Sequence, residues 1–184
     1  MSSTVKSGKG FLGSKAFKQG ISFGIISSTL TTLGLNVGMW ASGGGVDVLI
    51  KAILGITVSD ALADSFSIYM ANKATGDADI ALLSAMCVCV VEFILPLVFI
   101  LPLIFMHLTD AIITNTIIGA ILVGGTGYYV SSMDKNDRHN ILGRVMIYLG
   151  VLAAVLLLTT GSGELETKLE PSVDSIHKQF VDNK

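Results

Sequence analysis

Charge is scarce in this chain. Asp, Glu, Lys and Arg make up 14% of 184 residues against 51% hydrophobic, a balance too apolar for a water-soluble fold of this size. There is no run of basic residues interleaved with aromatics of the kind that tracks phosphates, so nucleic acid is excluded as a partner. Cysteine is limited to Cys87 and Cys89, which point to nearly opposite faces of a helix, so they neither bridge to each other nor grip a metal together. The first 19 residues, MSSTVKSGKGFLGSKAFKQ, hold no apolar stretch ending in a cleavage site, and the first hydrophobic segment is therefore expected to stay in the mature protein.

What is present is apolar length. Five stretches, near 20–40, 47–71, 80–105, 111–131 and 140–160, each approach the roughly 20 residues that a membrane-crossing helix needs. The expectation is an all-α, multi-pass membrane protein in a lipid bilayer, with a segment 1–19, a five-helix domain 20–160 and a polar tail 161–184. Lys6, Lys9, Lys15 and Lys18 precede the first span, Lys73 lies in the second joint, and Lys135, Arg138 and Arg144 flank the fourth. All fall on one side, which the positive-inside bias makes cytoplasmic, so the N-terminus is inside and the C-terminal tail outside or lumenal.

The first span, GISFGIISSTLTTLGLNVGMW, carries small and hydroxylated residues in place of charge. Gly20, Gly24 and Ser28 repeat at four, and Ser28, Thr32 and Asn36 continue a polar row that suits close helix packing or a hydrated path. In the second span Thr57, Asp60, Asp64 and Ser67 fall within an arc of roughly 80 degrees at the helical step. The third span holds Glu92, and Pro96, lacking an amide hydrogen, frees the Glu92 carbonyl. Joint residues such as His107, Met133, Asp134, Asp137 and His139 read as solvated loop.

A mid-membrane Asp costs on the order of 2.5 to 3.5 kcal/mol on the insertion scale, so Asp60, Asp64 and Glu92 are expected to face the interior for a reason. No basic residue answers them; Lys51 lies nine residues before Asp60, toward the opposite surface. They are protonated, hydrated or matched by a cation, three conditions that together describe a cation-transport cycle. Oxygen donors suit Mg, Ca and Mn, and a thioether from Met39 or Met70 would shift the preference toward Fe(II). An intramembrane aspartyl hydrolase needs two acids facing each other from different helices, whereas Asp60 and Asp64 share one, so the chain is not expected to be an enzyme.

FGIISSTLTTLGLNVGM (Phe23 to Met39) followed by GITVSDALADSFSIYMANKA (Gly55 to Ala74) resembles the first two spans of the vacuolar iron transporter family. That resemblance implies a homodimer exporting Fe2+ or Mn2+ from the cytosol in exchange for protons, in a vacuolar or other endomembrane or in the plasma membrane, with no tightly bound cofactor. The path would run along the first two spans, where Ser27, Ser28, Thr32, Asn36, Thr57 and Ser67 would line it and Asp60, Asp64, Glu92, Met39 and Met70 would supply ligands. The family's first-span Asp falls on Ser27, its pathway Met on Asp64 and its second-span Glu near Ile56. The Glu- and Met-rich domain that larger members insert between spans two and three is reduced here to NKATGDAD. The alternative is a membrane scaffold that keeps the transporter-like fold without transporting.

Overall fold

The computed structural model describes residues 14–133 and 140–181. These form five helices: α1 (Lys15–Ala41), α2 (Val46–Ala74), α3 (Ala78–Phe105), α4 (Leu108–Met133) and α5 (Ile141–Val181). The expected loop residues Asp134, Asp137 and His139, and the cations Lys6, Lys9, Lys135 and Arg138, lie outside the described residues. Among the described residues there is no strand, and α1, α3, α4 and α5 are each long and apolar enough to cross a membrane. At 29 residues α2 has the length for the same crossing, but Asp60 and Asp64 occupy its middle.

Local chemistry sets the helix ends. Ser14 caps α1, its hydroxyl accepting the Phe17 amide hydrogen at 3.2 Å and satisfying one of the orphan donors of the first turn. The α1–α2 turn closes through Gly43, at φ +82, a left-handed conformation that only glycine adopts without strain. The Gly44 amide then donates to the Met39 carbonyl at 2.8 Å. Gly76, at φ +83, ends α2 in the same way. An exposed ion pair, Lys15 to Asp77 at 2.6 Å, ties the start of α1 to this second turn.

The last helix departs from expectation. Where an end near residue 160 and a polar tail were anticipated, α5 runs on without interruption to Val181, through Pro171. Apolarity stops near Thr160, but helix propensity does not: GELETKLE is rich in helix formers and places Glu164 four residues before Lys168.

α1 is the central helix. Eleven of its residues are buried against five in α2, although both are apolar helices of similar length. Its packing uses the small residues. A Cβ added to Gly20 would stand 2.5 Å from the Ser84 carbonyl oxygen and 2.6 Å from the Cys87 Cβ, and one on Gly24 would stand 3.0 Å from Val91. The α1 and α3 backbones are therefore nearly in contact, and the Ser84 hydroxyl donates to the Ala16 carbonyl across that seam at 3.2 Å. Gly119 of α4 packs on Leu33, and Gly163 of α5 on the Gly38 carbonyl. Two apolar clusters follow. Leu33, Phe99, Val123 and Leu152 fill the middle, and Val37, Leu49, Ile53, Ile100, Leu103, Ala111 and Ile112 fill the end beside the α1–α2 turn. The acids occupy the remaining half.

Candidate functional site: a carboxylate cluster on the α1–α2 seam

Three rows run along α2. Leu49, Ile53, Thr57 and Ala61 are buried, Leu54, Val58, Leu62, Phe66 and Met70 are exposed, and the half-buried Asp60 and Asp64 lie between these extremes. The helical period that places acids together also separates them from both apolar rows.

α1 runs antiparallel to α2 and meets the acids with hydroxyls. The Ser27 Oγ donates to Asp64 Oδ2 at 2.5 Å. One turn along, the Thr31 hydroxyl stands opposite Asp60. Two residues four apart on one helix thus face two residues four apart on the other. Glu92 enters from α3. It is 1% exposed, stands in interaction range of Asp64 and Ser27 with Asp60 also in electrostatic range, and among the described residues neither of its oxygens makes a well-formed hydrogen bond. Pro96, one turn later, is also buried, so the freed Glu92 carbonyl lies in the interior rather than against lipid.

The facing acids are therefore Asp64 and Glu92, from different helices. Asp60 and Asp64, on one helix, are neighbours. Two carboxylates that face each other repel when both are ionised, and a proton or a cation relieves that repulsion. The ion pairs Lys15–Asp77 and Lys51–Asp47 are both exposed and away from the cluster, so neither supplies that relief. Among the described residues no three His, Cys, Asp or Glu side chains converge so as to hold a metal ion.

The other expected site residues divide into two groups. Ser28, Thr32 and Asn36 are buried, and the Ser28 hydroxyl and both polar atoms of the Asn36 amide lack hydrogen-bond partners. The register that sets Gly20 beside Ser84 and Cys87, and Gly24 beside Val88 and Val91, brings Ser28 to the level of Glu92. Thr57 is buried but spends its hydroxyl on the Ile53 carbonyl at 2.7 Å, and Ser67 is exposed.

Met39 and Met70 are not brought to the acids within one chain. The Ser27–Asp64 and Thr31–Asp60 register leaves Met39 two turns beyond Thr31, toward the opposite end of the seam from Met70. Met70 is 50% exposed. Thr31 escaped the sequence reading because α1 carries hydroxyls on adjacent rows. The i,i+4 echo of Ser27 and Thr31 against Asp64 and Asp60 was the available signal.

Compared with protein-family models, curated proteins and solved structures, the chain finds no match.

Proposed function

We propose that this protein carries a divalent transition metal, Fe2+ or Mn2+, out of the cytosol in exchange for protons along the α1–α2 seam. The observation that carries this reading is Glu92: a buried carboxyl facing a second carboxyl, with no well-formed hydrogen bond and no basic partner among the described residues. An acid so placed is costly in a membrane protein unless it takes up and releases a proton or a cation. A carboxylate must also be deprotonated to bind a metal, which couples the two movements.

The resemblance to the vacuolar iron transporter family supports the same seam. The position where that family's first-span Asp falls, Ser27, is bonded to the position where its pathway Met falls, Asp64. A carboxylate is thus present across the same helix contact, supplied by α2 instead of α1. In this reading the basic helix ends are cytoplasmic, metal meets Asp64 and then Asp60, and Glu92 relays protons. All five helices cross the bilayer, and a second copy covers the exposed α2 face that includes Ser67 and Met70.

The experiment is metal uptake into proteoliposomes containing an internal pH dye, run separately with Fe2+, Mn2+, Co2+ and Zn2+. Wild type is expected to couple uptake to proton release, and Asp60→Asn with Asp64→Asn to abolish it. Unchanged flux in that double variant sinks the proposal. A scaffold without transport is the second reading, favoured by the lack of a three-ligand group among the described residues. It predicts no flux with any of the four metals in a correctly assembled wild type. Peptide turnover by the purified protein is expected to be absent, and its presence would move the Asp64–Glu92 pair to hydrolase chemistry.

A further inference from the structure

As it leaves its apolar stretch, α5 borders two cavities. The first, of about 400 Å³, lies between α1, α2 and α5, and its wall includes Thr31, whose hydroxyl stands opposite Asp60. It therefore begins at the carboxylate cluster. From there it follows α1 past Met39, and α5 past Thr159 and Ser162 to Glu166. The second, of about 580 Å³, lies between the α1–α2 turn and the continuation of α5, where Ser162 and Glu166 line it again and Glu170 joins them one turn on. The two cavities are thus consecutive.

Helical period makes their α5 wall polar. Thr159, Ser162, Glu166 and Glu170 fall within an arc of roughly 80 degrees and climb about 16 Å along the axis. Leu157, on the opposite side of the same helix, is 74% exposed. Among the described residues no Lys or Arg lines either cavity, and both carry carboxylates toward the end beside the α1–α2 turn. Walls of one charge sign concentrate the opposite ion. The two glutamates stand in file along the helix, and among the described residues no three His, Cys, Asp or Glu side chains converge to hold a metal. Such spacing suits passage, since each station holds an ion weakly enough to release it to the next.

We infer that a cation released from Asp60 leaves through these two cavities, past Thr31 and Thr159 and then Glu166 and Glu170, and that the two glutamates select for positive charge at the exit. The route rests on the transport proposed above. It gives α5, whose side chains take no part in the carboxylate cluster, a direct contact with the cargo.

The test uses the full chain carrying Cys87→Ala and Cys89→Ala in oriented proteoliposomes, with one new cysteine at a time. Membrane-impermeant methanethiosulfonates of either charge are added from the side of the α1–α2 turn. Thr159→Cys and Ser162→Cys are expected to react, the cationic reagent at least about tenfold faster than the anionic one once each rate is taken relative to free cysteine. Glu166→Gln with Glu170→Gln should remove that preference, and Leu157→Cys should not react. Labelling at either cavity position is expected to abolish the Mn2+ flux measured before labelling. The exit is overturned by no reaction at both positions, by equal reaction at Leu157→Cys, by a charge preference that is absent or survives both Gln substitutions, or by full flux after labelling. In each of those cases wild-type flux leaves the transport reading standing. Absence of flux in the wild-type chain, whatever the cysteines do, brings down both.

Discussion

The two long seams of α1 are built from the same kind of residue and reach opposite results. Against α3, Gly20 and Gly24 bring backbones almost into contact, and the seam is held by shape. Against α2, Ser27 and Thr31 meet a pair of aspartates, and the seam is held by polar contacts beside a buried carboxyl from α3 that makes no well-formed hydrogen bond. Small residues spaced at four allow either outcome. What stands opposite them decides which.

The largest effect expected from breaking this contrast is on the shape-held side. Gly20→Leu drives a side chain into the Ser84 backbone and Cys87, and is expected to cost several kcal/mol, beyond the roughly 1–3 kcal/mol of ordinary overpacking, because backbone cannot move aside as a side chain would. Reversible unfolding in mixed micelles measures it. A loss smaller than that of Gly55→Leu, where nothing stands within 4 Å, would remove the distinction between the seams.

Next in size, and opposite in sign, is Glu92→Leu. Replacing a buried acid that makes no well-formed hydrogen bond and faces a second carboxyl is expected to stabilise the protein by about 1–3 kcal/mol while ending metal-coupled proton flux. Destabilisation in the same micelle assay would show that Glu92 is held by contacts the fold depends on. The smallest effect separates two adjacent hydroxyls. Ser27→Ala removes the donor to Asp64 and should cost about 1 kcal/mol, whereas Ser28→Ala removes a buried hydroxyl with no partner and should be neutral or slightly stabilising. Equal values would mean that the two α1 rows are not energetically distinct.

That last pair also marks where sequence reasoning stopped. The polar stripe of α2 was legible because two charged residues one turn apart stand out in an apolar helix, and the helical step alone puts them on one side. The face of α1 that meets them was not legible. Its hydroxyls occupy neighbouring rows, Ser27 and Thr31 beside Ser28 and Thr32, and only the packing of four other helices around α1 decides which row faces the acids. The number of helices and most of their extents followed from apolar length. The continuation of α5 past Thr160 did not, since hydropathy records where lipid contact would end, not where the backbone ceases to be helical.

The central position of α1 bears on how the protein is made. It precedes every helix that buries it, and its interior face includes Ser28, Thr29, Thr32 and Asn36, none of which suits lipid. During synthesis α1 leaves the ribosome while α3, α4 and α5 do not yet exist, so for that interval its polar interior face has none of the neighbours that later bury it.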